Sequence, residues 1–193
     1  MPDRLAPLDP PYEPAVADAL ARLMGRDDVE PLTLFRTIAH HQPLLDRFRQ
    51  TGSTMLAHGH LPADERETLI QRTTARCGAG YEWGVHAAVF APQLGLGEAW
   101  LQATWAGTAG DPAFSGRQAL LVRLADELHD AARVSDELWA ALAAGWPSDQ
   151  LVEAVCLCGF YHLVSFVCGA FAVPDEPWAV SPQSPTTGSP DAE

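Results

Sequence analysis

Two residue types are missing from this chain of 193 residues: it has no lysine and no asparagine, and its 12 Lys/Arg positions are all arginine. Without lysine, the chain cannot form a lysine Schiff base or a P-loop, because both need that amine. The formal net charge of −13 also argues against the basic surface that nucleic-acid binding requires. We therefore expect no nucleic-acid partner.

Neither a membrane span nor a signal peptide is expected. We find no apolar run of the ~18 residues that a spanning helix needs. The N-terminal stretch MPDRLAPLDPPYEP lacks the charged start and apolar segment of a signal peptide. Hydrophobic residues make up 47% of the chain, which is typical of a globular protein. These features predict a cytoplasmic protein with no membrane partner.

Cysteine is scarce, with four residues and no CxxC motif. Cys156, Cys158 and Cys168 lie in an apolar segment and are expected to behave as small core residues. Because the Cys/His spacing typical of zinc sites is absent, we expect no metal.

Helical periodicity dominates what is present, with no strand-like alternation of useful length. We predict an all-α domain of about eight helices over residues 12–173, preceded by an extended arm at 1–11 and followed by a disordered Pro/Ser-rich tail at 174–193. The predicted helices cover 14–24, 32–41, 43–59, 62–77, 81–90, 95–105, 115–132, a segment beginning at 135, and 148–173. Because the last helix is apolar nearly all round, we expect it to be buried or to lie in a subunit interface.

The rest of the chain is organised around the stretch from Glu65 to Val89, which reads as a helix, a glycine turn and a second helix. It concentrates the ionisable residues Glu67, Arg72, Arg76, Cys77, Tyr81, Glu82 and His86. Candidate acid/base chemistry is therefore expected here.

Glu82 and His86 are four residues apart and share a helix face. A carboxylate beside an imidazole can orient it for general acid/base work, but the two could equally form an exposed surface pair. Glu67 can reach His86 only if the two helices fold back across the glycine turn. Otherwise it is a solvated charge.

Other candidates have weaker support. Cys77 ends its helix, where the dipole raises a thiol pKa. Tyr81 and Trp83 could pack in the core or bind substrate. Tyr161 and His162 lie inside the apolar last helix, where they are either core residues or part of a pocket.

The central stretch resembles a known family. The segment R-E-T-L-I-Q-R followed by R-C-G-A-G-Y-E-W-G-V-H is similar to the signature of the carboxymuconolactone decarboxylase family, which includes alkyl hydroperoxidase D. LADELHDAARVSDELWAAL and QLVEAVCLCGFYHLVS resemble the second half of the same domain, so the resemblance covers about residues 30–173. It implies an all-α, AhpD-like fold that assembles as a homodimer, trimer or hexamer.

The resemblance also implies a set of site residues. In the peroxidase branch, two cysteines in CxxC, a histidine and a glutamate form a proton relay. The histidine position is His86 and the glutamate position is Glu67, whereas the two cysteine positions are Ala79 and Glu82. The chain thus resembles the branch without CxxC, which includes the decarboxylase and needs no metal or organic cofactor.

Decarboxylation of a lactone acid removes a carboxylate and re-protonates carbon. Arg72 would hold the carboxylate or lactone oxygen, and His86 with a glutamate would deliver the proton. We therefore predict a cofactor-free enzyme acting on a small carboxylated or enolisable substrate. Its reaction would be decarboxylation or a related lyase, isomerase or cyclase step in a specialised pathway.

Two other functions stay open. A thiol-dependent hydroperoxidase or antioxidant protein would use Cys77 and would require a low-pKa thiol there. A non-catalytic oligomeric protein would keep the pocket and bind a ligand without turnover.

Overall fold

The computed structural model describes residues 4–24 and 29–182. Within these ranges the secondary structure is helical and contains no strand, so the predicted all-α class is confirmed. Short 3-10 turns at Ala39–His41 and Pro92–Leu94 join some of the helices. The helices are α1 Pro14–Met24, α2 Thr33–Ile38, α3 Gln42–Ala57, α4 Ala63–Arg76, α5 Gly80–Val89, α6 Glu98–Ala106, α7 Gly116–Ala131, α8 Asp136–Gly145 and α9 Ser148–Phe171.

Local capping signals fix several helix starts. The Ser115 side chain accepts a hydrogen bond from the backbone of Gln118, whose own side chain returns one to Ser115, which forms a capping box at α7. Ser135 caps α8 through the backbone of Leu138. These contacts use only neighbouring residues, which is why the boundaries follow from the sequence.

Helix α4 lies at the centre of the fold and packs against α5, α6, α7 and α9. Every residue from Glu67 to Thr74 is buried, although many of them are polar. A buried polar group is costly unless it is hydrogen-bonded. Glu65, for example, accepts hydrogen bonds from Arg117 and, at 2.7 Å, from the indole of Trp146. The central helix is therefore positioned by specific polar contacts as well as by apolar packing.

The turn between α4 and α5 reverses the chain. Gly78 adopts a left-handed conformation with φ of 65°, which glycine accommodates without strain. The reversal packs α5 against α4. This is the geometry that Glu67 needs to approach His86.

Residues 174–182 pack against the bundle, in contrast to the predicted disorder from residue 174. The carboxylate of Glu176 accepts hydrogen bonds from the backbone of Thr33 at 2.7 Å and from the hydroxyl of Tyr81 at 2.8 Å. The Val180 amide donates to the Gly84 carbonyl at 3.2 Å, and a Cβ at Gly84 would lie 2.1 Å from the Val180 oxygen. The remaining tail, 183–193, and the first part of the predicted arm, 1–3, lie outside the described residues.

Helix α9 corrects the expectation that no run reaches membrane-spanning length. By length and composition alone it is apolar enough to cross a membrane. Its few polar residues, such as His162 and Ser165, interrupt the run without making it hydrophilic. Only 39% of its most apolar portion is buried in the fold. Large apolar side chains are exposed on its other face: Val152, Val155, Leu163, Phe166 and Phe171.

Candidate functional site

Glu67 and His86 meet across the α4–α5 interface. The Oε2 atom of Glu67 lies 2.7 Å from Nδ1 of His86. Both residues are deeply buried, with 1% and 3% of their surface exposed. The reversal at the glycine turn thus turns two separate helix positions into a buried carboxylate–imidazole pair.

The other ring nitrogen of His86 faces two further polar groups. Nε2 lies 3.1 Å from the Tyr161 hydroxyl, which α9 contributes, and 3.4 Å from Oε1 of Glu82, one turn earlier on α5. Oε2 of Glu82 is buried and has no hydrogen-bond partner within residues 4–24 and 29–182. A buried, unpaired carboxylate oxygen is costly for the fold, and it is available to a bound molecule.

Arg66 also contacts the pair, although the sequence did not single it out. Its Nε lies 3.3 Å from Oε1 of Glu67, and its Nη1 donates to the Leu56 carbonyl at 3.1 Å. Adjacent residues on a helix do not normally face each other, so spacing gives no signal for this contact. Glu67 is therefore held from both sides, by a guanidinium and by an imidazole.

The surrounding charges decide the protonation of the site. Burial by itself lowers the pKa of His86, but the carboxylates of Glu67 and Glu82 outweigh it and raise the pKa to about 9. His86 is thus an imidazolium at neutral pH, and it donates from Nδ1 to Glu67. Burial and the same two carboxylates raise the pKa of Tyr161 well above its usual value, which keeps its hydroxyl neutral.

Four groups of different chemistry consequently converge. The His86 Nε2–H is a proton donor, and the free oxygen of Glu82 is a proton acceptor. The Tyr161 hydroxyl can donate to an oxygen that gains negative charge. Glu67 fixes the orientation of the imidazolium. A general acid, a general base and a hydrogen-bond donor are the groups needed to transfer a proton to and from carbon.

Arg72 is held elsewhere, contrary to its expected role in binding a substrate carboxylate. Its Nε and Nη2 donate to the two carboxylate oxygens of Asp126, at 2.6 and 3.0 Å. Its Nη1 donates to the carbonyls of Thr104 and Gly107, at 3.2 and 3.0 Å. The guanidinium therefore joins α4 to α7 and to the end of α6.

Tyr81 and Trp83 also have other partners than a substrate. The Tyr81 hydroxyl accepts a hydrogen bond from the Leu34 amide at 3.2 Å and is bonded to Thr33 and Glu176. Burial raises the pKa of this hydroxyl. Trp83 is 1% exposed, and its indole donates to Thr104. These contacts support packing roles for Tyr81 and Trp83, and substrate binding by either residue stays a prediction.

His162 and Cys77 belong to a second cluster, together with a histidine that the sequence did not single out. Nε2 of His162 lies 3.1 Å from Nδ1 of His129, which in turn lies 3.8 Å from the Cys77 sulfur. Burial raises the pKa of the Cys77 thiol, and hydrogen bonding by Ser165 only partly opposes it. The direction of this pKa shift is the one expected for Cys77, although its main cause is burial and not the helix dipole, and the histidine partner on α7 was not expected.

The acid/base cluster is closed in this conformation. The ring of Phe90, which is half-buried, stacks on the imidazole of His86 with a centroid separation of 4.8 Å. A surface cavity of about 290 Å³ lies elsewhere, between the α4–α5 turn and the C-terminal segment. It is lined by Gly78, Gly80, Trp105, Asp175 and residues 179–182.

Comparison with known proteins identifies the fold through solved structures but finds no match at the level of sequence families. No protein-family model and no curated protein matches the chain. A solved structure of the alkylhydroperoxidase AhpD core, an uncharacterized peroxidase-related protein from Ralstonia eutropha JMP134, aligns with a TM-score of 0.76 over 90% of this chain and 93% of that one. The chain has an AhpD-like fold. The sequence identity in this alignment is 14%.

Two further solved structures share this fold but are described by different activities. An uncharacterized peroxidase-related protein from Silicibacter sp. TM1040 aligns with a TM-score of 0.73 and 17% identity, over 91% of this chain and 94% of that one. The debrominase Bmp8 aligns with a TM-score of 0.71 and 14% identity, over 90% of this chain and 92% of that one. The AhpD-like fold is therefore shared by proteins described by different chemistries, and the site must decide the function.

Proposed function

We propose that this chain is an enzyme that acts by general acid/base catalysis on a small carboxylated or enolisable substrate. The observation that carries the proposal is the buried series Glu67–His86–Tyr161, with the unpaired oxygen of Glu82 beside it. The AhpD-like neighbours, which include a debrominase, support an enzymatic role of some kind.

The proposed roles follow from protonation and geometry. The His86 imidazolium, oriented by Glu67, is the general acid. The free oxygen of Glu82 takes a proton from an acidic C–H bond. The Tyr161 hydroxyl donates a hydrogen bond to the oxygen of the resulting enolate. This hydrogen bond strengthens as negative charge develops on that oxygen. An isomerase or cyclase step uses all three groups.

In a decarboxylation, the C–C bond to the carboxylate breaks and its electron pair forms the enolate, with release of carbon dioxide. His86 then gives its Nε2 proton to the enolate carbon. Arg72 is not free to hold the departing carboxylate, because Asp126 occupies it. Proton transfer at an enolisable carbon is therefore the better supported part of the proposal, and muconolactone-type acids are the first substrates to test.

Substrate access requires a side chain to move. Phe90 covers the imidazole and is only half-buried, so we place the route past its ring. Its rotation would uncover the face of the His86 imidazole.

Glu82→Gln is expected to lower kcat/KM by about 10²–10⁴-fold, because an isosteric amide cannot accept the proton. The assay follows incorporation of deuterium from D₂O at the enolisable carbon for a panel of muconolactone-type acids, with product analysis by mass spectrometry. Carbon dioxide release, in which Glu82 has no assigned step, is followed separately. In the wild type, kcat/KM should fall as the pH rises through about 9, where His86 loses its proton.

Glu137→Gln, at a largely exposed carboxylate, is the matched control and should retain full activity. Proton exchange at carbon that survives Glu82→Gln would contradict the proposal. Ligand binding without product, unaffected by Glu82→Gln, would instead favour the non-catalytic binding protein.

A thiol-dependent hydroperoxidase is the second candidate, and one contact favours it. The Cys77 sulfur lies 3.8 Å from a histidine nitrogen that could accept its proton. The raised pKa of the thiol argues against it, as does the state of the other cysteines, which are free within the described residues. Peroxide consumption with a dithiol that disappears in Cys77→Ser would establish this function and overturn the first.

We also propose that the chain works as a cytoplasmic homo-oligomer in which copies cover the exposed face of α9. Its five exposed large apolar side chains include Phe166, at 63% exposure, and Leu163, at 46%. A contiguous apolar face of this kind is unusual for a monomer. From residue 155 to residue 171 the helix carries no Asp, Glu or Arg, so a second copy offers a matching surface without charged carboxylates or guanidinium groups.

Phe166→Glu is expected to shift the purified protein, in detergent-free buffer, to the monomer mass in light scattering. The introduced carboxylate would be desolvated between copies. Trp139→Glu on α8 is the control, at a residue that is 49% exposed but lies off this face, and should leave the mass unchanged. A wild type that is monomeric at micromolar concentration would contradict the proposal.

A further inference from the structure

The cluster of Cys77, His129 and His162 lies outside the proposed acid/base site. Its members come from the C-terminal end of α4, the last turn of α7 and the middle of α9. One sulfur and two nitrogens approach to within 4.8 Å of one another, and all three residues are half-buried. Three helices therefore deliver three metal-binding atoms to one partly accessible point.

Two of the three separations are close to those in a tetrahedral zinc site. Zn–S bonds of about 2.3 Å and Zn–N bonds of about 2.0–2.1 Å place sulfur and nitrogen about 3.6 Å apart, and two nitrogens about 3.3 Å apart. Here Cys77 Sγ and His129 Nδ1 are 3.8 Å apart, and His129 Nδ1 and His162 Nε2 are 3.1 Å apart. The third pair, the Cys77 sulfur and the His162 nitrogen, lies within 4.8 Å, and a metal ion would draw it toward about 3.6 Å.

A hydrogen bond fixes the tautomer and the ring orientation of one candidate ligand, His162. Nδ1 of His162 lies 2.8 Å from the carbonyl oxygen of Cys158, one turn earlier on α9. A carbonyl can only accept, so Nδ1 carries the proton and Nε2 presents its lone pair to the cluster. Orientation of a ligand histidine through its other nitrogen is typical of metal sites.

The electrostatics of the neighbourhood are compatible with a cation. The nearest guanidinium, that of Arg76, is bound to Asp130 and lies 3.6 Å from Asp126. Its charge is therefore balanced by these two carboxylates. A thiolate with two imidazoles is a donor set of borderline softness, which suits Zn²⁺ better than Mg²⁺ or Ca²⁺.

We propose that Cys77, His129 and His162 bind a zinc ion through Sγ, Nδ1 and Nε2. Three protein ligands leave the fourth tetrahedral position for water or an exogenous ligand. On binding, Cys77 releases its thiol proton to solvent, and the neutral ring of His129 moves its proton from Nδ1 to Nε2, which frees the Nδ1 lone pair for the metal. This role is independent of the acid/base site and explains why a half-buried cysteine faces two histidines.

The test is metal binding by the full-length protein after treatment with a chelator and desalting. We expect one equivalent of Zn²⁺ per chain by calorimetry and elemental analysis. Co²⁺ substitution should give a thiolate-to-cobalt charge-transfer band that Cys77→Ser abolishes. His129→Ala and His162→Ala should each weaken Zn²⁺ binding by more than about 100-fold, beyond the loss typical of outer-sphere partners.

Cys156→Ser and His60→Ala are the matched controls, at an exposed cysteine and an exposed histidine. Both should bind Zn²⁺ and Co²⁺ like the wild type. Circular dichroism of each variant checks that it is folded. Absence of stoichiometric Zn²⁺ binding by the folded wild type would overturn the proposal, as would binding that persists in Cys77→Ser and His162→Ala.

Discussion

His86→Gln is expected to lower the free energy of unfolding at pH 7 by about 3–5 kcal/mol, the typical effect of removing one partner from a buried ion pair. The imidazolium lies between two buried carboxylates, Glu67 and Glu82. Glutamine can replace a hydrogen bond but not the charge. Arg66 would remain near Glu67, whereas Glu82 would keep no cation among the contacts described.

The same residue should give the wild type a characteristic pH dependence. The pKa of His86 is raised in the folded state to about 9, from an ordinary value of 6.5. Its contribution to stability is therefore complete below pH 6.5 and is lost as the pH rises through about 9, because the folded state holds a proton that the unfolded state releases. The integrated loss is about 3 kcal/mol.

Urea unfolding at a series of pH values between about 6 and 8.5 checks both expectations, because buried thiols with a raised pKa, such as that of Cys158, add a decline of their own at higher pH. The decline should be present in the wild type and absent in His86→Gln. His58→Gln, at an exposed histidine, should keep it. A wild-type profile with no decline over this range would show that His86 is not an imidazolium in the folded protein.

The sequence predicts a contact in this site more readily when the two residues are close together along the chain. Glu82 and His86 are linked by helical spacing alone, and their 3.4 Å approach follows from it. The Glu67–His86 contact needed one further step, the reversal at Gly78, which a glycine turn suggests but does not require. The resemblance to a known family supplied that step.

The remaining contacts join helices that are far apart in the chain, and no local pattern encodes them. Asp126 binds Arg72 across 54 positions, and His129 meets His162 across 33. Their helices were predicted, but the rotation of one helix against another was not. Glu176 was missed for a different reason, since the Pro-rich composition of its segment resembles disorder although three hydrogen bonds hold it to the bundle.

The Arg72 contacts lead to the second large effect: Arg72→Met is expected to destabilise the protein by about 3 kcal/mol, the lower end of the range for a buried pair. Methionine retains the apolar stem but leaves Asp126 without its bidentate partner and two backbone carbonyls without a donor. Asp126 is partly exposed, and Arg76 lies 3.6 Å away, which moderates the loss. Arg123→Met, at a more exposed ion pair, should cost no more than about 1 kcal/mol.

Urea unfolding measures this cost, and a second substitution separates structure from substrate binding. If the pair is structural, Asp126→Leu in the Arg72→Met background should recover part of the lost stability, because apolar residues can replace a buried ion pair. If Arg72 instead holds a substrate carboxylate, Arg72→Met would raise KM with little change in unfolding, and the second substitution would restore nothing. The bidentate geometry with Asp126 favours the first result, since a guanidinium already bound on both edges has no face left for a substrate carboxylate.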